Sequence, residues 1–234
     1  MKALYIKAAH LIGIGVIAGR RKRTGDSLRS SLQDRGAEQN TMNDIQGVLG
    51  EYAVITLLEE IASVQHDFFN CSKPIKAADA TWNGKRLDAK SLTLAPNHRF
   101  FILDKRAVEH PESKGVDGFI PVLLREDSSL AMVGTAIGIA AAQDWPERKL
   151  RADAPPARVL PVDEMMKRHF GISLDMAHEV FDDAPLDWSE MQKAAVTWGA
   201  ELTAAEIEER AIGATSIASG LEALGKWLTQ KEEA

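Results

Sequence analysis

Apolar residues recur at helical spacing over residues 43–64, where Ile45, Val48, Leu49, Tyr52, Ile55, Leu58 and Ile61 make one stripe. Thr41 or Asn43 can cap that helix. Gly47 and Gly50 within it would let another backbone approach closely. Upstream, residues 8–19 form an apolar run of about a dozen, short of the roughly 20 that a membrane-spanning helix needs. It predicts a buried N-terminal helix or strand. Downstream, strands are predicted at Ser72–Trp82, Lys85–Leu94, Arg99–Asp104, Gly118–Leu124 and Leu130–Ile139. From Ala140 to Pro161 the chain reads as irregular, broken by Trp145-Pro146 and Ala154-Pro155-Pro156. Short helices follow at Val162–Phe170 and Leu174–Phe181.

Beyond Pro185 the pattern is helical again, at Trp188–Leu202 and then from Thr203, which has Glu206 three residues on in a capping-box spacing. Ile207, Ile212, Ile217, Leu221, Leu224 and Trp227/Leu228 form an apolar stripe on this tail. Such a stripe folds back on its own core or docks a partner protein or a second copy of the chain. The organisation expected is a basic segment over 1–40, a core over 41–181 and a helical extension over 182–234, with no internal repeat.

The composition of the 234 residues, 45% hydrophobic and 26% charged, is that of an ordinary globular chain. One cysteine, Cys71, excludes an internal disulfide framework and fits a reducing cytosol. Six scattered histidines give no zinc spacing. Lys2 and Lys7 ahead of the apolar run imitate a signal peptide, but Arg20–Arg23 follows it with no small-residue cleavage pattern, so a cytoplasmic protein is expected. Gly13-x-Gly15-x-x-Ala18 fits the loose dinucleotide-binding pattern by chance, because no strand is predicted before it.

The net charge of −6 is unevenly spread. Met1–Arg35 carries eight Lys/Arg against two Asp, whereas Asp182–Ala234 carries eleven Asp/Glu against four Lys/Arg. Arg20, Arg21, Lys22 and Arg23, with Arg29 and Arg35, read either as a solvated loop or as phosphate contacts that would position a nucleic acid.

The chemistry gathers on residues 74–90. Asn83-Gly84 is a strong signal for a two-residue type I′ hairpin, which needs positive φ at both central positions. That register sets Trp82 opposite Lys85, Thr81 opposite Arg86, Ala80 opposite Leu87, and Asp79 opposite Asp88. Lys90 then shares the face of Asp88. Two carboxylates facing across a ladder repel. A divalent cation would relieve them, and hard oxygen ligands suit Mg²⁺ or Mn²⁺.

Asp79, eight intervening residues and then Asp88-Ala89-Lys90 resemble the motif of the PD-(D/E)XK nucleases. Glu51, in a Gly-Glu-Tyr-Ala context, resembles the glutamate that many members carry on the preceding helix. Ala78 stands where the name-giving proline would be, and Asp88 is the less frequent acid of the second half-motif. The resemblance covers roughly residues 43–140. It implies a restriction-endonuclease-like core of the α/β (α+β) class, a central mixed β-sheet flanked by helices. It also implies Asp79, Asp88 and the Ala89 carbonyl as ligands of Mg²⁺ (or Mn²⁺), with Lys90 positioning the attacking water and Glu51 assisting.

The function expected is therefore metal-dependent cleavage of phosphodiester bonds, in DNA before RNA, serving restriction, repair or defence against phage. Two other readings stand beside it: a nuclease-fold binding subunit without catalysis, and a phage-related structural component.

Overall fold

The computed structural model describes residues 2–26, 37–72, 78–94, 99–125, 129–150, 155–181 and 189–232. The chain is a mixed α/β protein. A short strand β1 (Lys2–Tyr5) leads into helix α1 (Ala8–Asp26), which contains the N-terminal apolar run and carries on through Arg20–Arg23. Those four basic residues are thus helical and not in a loop. Arg29 and Arg35 lie outside the described residues. Helix α2 (Ala37–Ile61) starts earlier than its apolar stripe and ends at its last member.

Strands β2 (Val64–His66), β3 (Ala80–Trp82) and β4 (Lys85–Thr93) form an antiparallel meander. Next come β5 (Phe100–Asp104) and two short helices, α3 (Lys105–Glu109) and α4 (Pro111–Lys114). They return the chain to β6 (Gly118–Leu124), which lies parallel to β4 with Leu87 beside Gly118. Strands β7 (Leu130–Val133) and β8 (Ile137–Gly138) both pair antiparallel with β6. The large sheet has seven strands in the order β1-β7-β6-β4-β3-β2, with β8 also on β6.

The single strand expected over Leu130–Ile139 is interrupted at Gly134–Ala136, opposite the middle of β6. Pro121 sits in that middle and has no N–H to give a neighbour; its carbonyl accepts from the Gly134 N–H instead, at 2.9 Å.

The stretch read as irregular contains α5 (Ile139–Gln143), β9 (Glu147–Arg148) and β10 (Ala157–Pro161). Strand β5 leaves the main sheet to pair with β10, forming a second sheet in the order β5-β10-β9. Prolines flank β10 closely on both sides, which hides its short apolar core from a periodicity reading. Helix α6 (Val162–Met165), a π-helical turn at Met166–Phe170 and helix α7 (Leu174–Phe181) fall where the sequence predicts helices.

Both faces of the main sheet are covered, and β6 is buried along its whole length. Its Ile120, Val122 and Leu124 pack with α1 and α2, whereas Phe119 and Leu123 pack with the second sheet, α6 and α7. That two-sided burial is why the strand reads as a continuous apolar run.

The tail forms α8 (Ser189–Glu201), α9 (Ala204–Ala211) and α10 (Ile217–Glu232), with the Thr203/Glu206 capping box in place. Met191, Leu202, Ile207, Ile217, Leu221, Leu224 and Leu228 are buried in the same core as Ile14 and Ile17 of α1 and Leu49 of α2. The apolar stripe folds back on the chain, with Ile212 left 79% exposed. Helices α1 and α8–α10 therefore share a core with the middle of the chain; β1 even adds a strand to the main sheet.

Candidate active site

The β3–β4 turn has the geometry its sequence specifies, with Asn83 at φ 49° and Gly84 at φ 73°. The ladder follows the predicted register through Trp82/Lys85, Thr81/Arg86 and Ala80/Leu87. It stops there. Asp79 is not a ladder partner of Asp88, although its N–H still donates to the Leu87 carbonyl at 2.9 Å. Ala78 packs in the core under one sheet face and Ala80 in the core over the other, so regular alternation breaks between them. Such a break re-aims a side chain, and the Asp79 carboxylate accepts the Ala89 N–H at 2.7 Å.

Asp88 is 4% exposed. Strand alternation places it and Lys90 on the face of Leu92, away from α2, whereas Leu87 and Ala89 pack with the α2 layer. Its Oδ2 accepts from the Lys90 ammonium and, at 2.8 Å, from the Lys114 ammonium. Burial alone would raise the Asp88 carboxyl, but the two lysine charges more than offset it and hold it below the usual range. Burial likewise works against the charge on Lys90, and the carboxylates of Asp88 and Asp79 keep it protonated. Lys114 goes the other way: burial and the neighbouring Lys90 charge lower it despite its bond to Asp88.

Lys114 is the residue the sequence reading missed. Its signal lay in topology. Strand β6 pairs parallel to β4 with Gly118 beside Leu87, so the residues just before Gly118 are carried to Arg86–Asp88. The junction is fastened by the Asp117 N–H on the Arg86 carbonyl (2.7 Å) and the Arg86 N–H on the Asp117 carboxylate (2.8 Å). The Arg86 side chain adds two contacts of 3.1 and 3.3 Å, and together these hold the Asp117 carboxyl down at about 2.

Glu51 is placed elsewhere. It is 3% exposed on α2 and receives both terminal nitrogens of Arg21, which also donates to the Phe68 carbonyl and stacks over the Phe68 ring at 5.4 Å. Burial opposes the Arg21 charge, and Glu51 with help from Asp79 raises it above its ordinary value. Arg21 is thus an internal partner of Glu51, not an outward phosphate contact. Of the other basic residues on α1, Lys22 donates to Thr41 Oγ1 at 2.7 Å, Arg20 is half-buried and Arg23 is exposed. Burial pushes the nearby Cys71 thiol up to about 11, so it stays neutral and unreactive.

An open groove of about 340 Å³ runs past the end of β3, lined by His66, Asp67, Asp79, Thr81, Arg86 and Lys114 among others. Asp88, which Lys114 and Lys90 contact, does not line it. Among the described residues no three His, Cys, Asp or Glu side chains converge as a metal cluster. The oxygens that the family resemblance points to are the carboxylates of Asp79 and Asp88 and the Ala89 carbonyl. This donor set fits Mg²⁺, which is held by one or two carboxylates and keeps several waters. The two ammoniums on Asp88 Oδ2 mark the same spot as one that draws positive charge. No family model, curated protein or solved structure matches the chain. Among the described residues no helix is long and apolar enough to cross a membrane.

Proposed function

We propose that this protein is a metal-dependent nuclease that hydrolyses phosphodiester bonds, with DNA as its substrate, as its resemblance to the PD-(D/E)XK family implies. The observation that carries the reading is the gathering of Asp79, Asp88 and Lys90 at the open end of one hairpin. There Asp88 is buried yet ionised and Asp79 sits on the Ala89 N–H.

Hydrolysis joins a water oxygen to phosphorus and breaks the bond from phosphorus to one sugar oxygen. The water gives up a proton to solvent in the groove, and the departing oxygen takes one from the same solvent. Mg²⁺ or Mn²⁺ held by Asp79, Asp88 and the Ala89 carbonyl would supply Lewis acidity toward the phosphate. Lys90, kept charged by Asp88, orients the attacking water and offsets the negative charge that grows on the phosphoryl oxygens. Asp79 and Asp88 fix that lysine. Glu51 acts at one remove, by holding Arg21 beside Asp79.

A second reading, a nuclease-fold binding subunit without catalysis, is favoured by one specific feature: Asp88 Oδ2 already receives two ammoniums. One experiment separates the two. Purified protein is incubated with supercoiled plasmid, linear duplex and single-stranded DNA in Mg²⁺, Mn²⁺ or EDTA, beside Asp88→Ala and Lys90→Ala. Cleavage that needs metal and falls by on the order of 10²-fold or more in both variants is expected for the nuclease. DNA that stays equally intact with wild type and variants removes the catalytic reading and leaves the binding one.

A further inference from the structure

Asp88 Oδ2 carries two ammoniums, those of Lys90 and Lys114, where one would neutralise it. The two cations repel each other across a shared oxygen in a place with little water. An added divalent cation on the same carboxylate would sharpen that repulsion, and an anion arriving in the groove would draw one ammonium away. Of the two lysines, Lys114 lines the groove.

The backbone of Lys114 is fixed, and its side chain reaches Asp88 along the edge of the groove. Pro111 opens α4, and the Gly115 N–H closes it on the Pro111 carbonyl at 2.8 Å. Two residues on, the Arg86–Asp117 contacts bolt the chain to the hairpin. From that fixed point a four-carbon stem with rotatable donors can swing between Asp88 and the groove. Around the shared oxygen the ammoniums of Lys90 and Lys114 face the carboxylates of Asp88 and Asp79, so the cluster is neutral as it stands. A bound divalent cation would leave it with a surplus of positive charge, which an anionic phosphate offsets.

We infer that Lys114 is a substrate-contacting residue that leaves Asp88 to bind a non-bridging oxygen of a nucleic-acid phosphate lying in the groove. The inference rests on the nuclease reading for the identity of the anion, and it adds a residue that the family resemblance does not supply.

The test is equilibrium binding of a fluorescent DNA duplex over a series of KCl concentrations, in Ca²⁺ and in EDTA, for wild type, Lys114→Gln, Lys114→Arg and the distant control Lys226→Ala. Loss of one phosphate contact lowers the slope of log K against log salt by about 1. Lys114→Gln is expected to show that drop, whereas Lys114→Arg and the control keep the wild-type slope. Because a neutral residue beside buried Asp88 can impair folding, acetylation footprinting of the wild-type protein is run in parallel, and duplex DNA is expected to protect Lys114. An unchanged slope in folded Lys114→Gln, equal acetylation with and without DNA, or no DNA binding by wild type would overturn the assignment. A protein that cuts nothing but shows the slope change and the protection keeps the phosphate contact and loses the nuclease reading, so the two failures are distinct.

Discussion

Asp88 and Glu51 are both acids in nearly waterless surroundings, and each meets a cation from a distant part of the sequence, Asp88 in addition to its near neighbour Lys90. For Glu51 that cation is Arg21, thirty positions earlier. Removing one member of a buried pair strands the other's charge, which typically costs about 3–5 kcal/mol, while replacing both with apolar residues is often close to neutral. Arg21→Met is therefore expected to lower the urea midpoint sharply, and Arg21→Met combined with Glu51→Leu to recover most of the loss. A double variant no more stable than Arg21→Met alone would mean that the pair is not the reason for the effect. The acids of the site were legible in the sequence because the Asn-Gly turn and the Asp-x-Lys spacing are local. Arg21 and Lys114 were not, since each meets its carboxylate only through tertiary packing. Local reasoning read Arg21 as outward-facing for that reason, and gave Lys114 no role.

Helix α1 carries Gly13 and Gly15, which fit a dinucleotide-binding pattern, and Gly19 beyond them, and the reason for Gly15 and Gly19 is helix packing. A Cβ on Gly15 would stand 2.4 Å from the Met191 carbonyl oxygen, and one on Gly19 2.2 Å from that of Ala195, so α1 and α8 meet backbone to backbone. Gly19→Ala forces the helices apart and is expected to destabilise the protein by about 1–3 kcal/mol, the usual range for overpacking. Gly47→Ala, where a Cβ meets nothing within 4 Å, serves as the comparison and should be neutral or slightly stabilising, since alanine favours the helix. Chemical denaturation of the two variants side by side measures the difference; equal midpoints would remove the packing account. Element type followed the hydrophobic period well from α6 onward and in α2, β4 and β6. It failed at β10, which is short and flanked by prolines, and at Asp79, where the ladder ends one residue before the pairing that alternation implies.

Over the whole molecule, the two chain ends close on each other, and a buried histidine sits where they meet. His10 of α1 is 2% exposed, with Nδ1 2.8 Å from the Tyr52 hydroxyl of α2 and Nε2 3.4 Å from Glu222 of α10. Burial lowers its affinity for a proton below that of an ordinary histidine, and Lys7 acts in the same direction; the bond to Glu222 and its charge only partly offset them. The sign of the linkage follows. The unfolded chain binds this proton more readily than the folded one, so the contribution of His10 to stability is fully present above the unfolded pKa. It is lost as pH falls through the depressed folded value. His169 is shifted the same way, again by burial first, and adds to the slope. Thermal midpoints are therefore expected to fall between about pH 7.5 and about pH 5. The fall should be shallower in His10→Gln, which keeps a hydrogen-bonding group toward Tyr52 but has no proton to take up. A variant as pH-sensitive as wild type would assign the whole slope to other groups, His169 first among them. The chain starts basic and ends acidic. The two meet in part: Lys7, just before α1, pairs with Glu222 of α10 at the surface, and His10 of α1 contacts the same carboxylate.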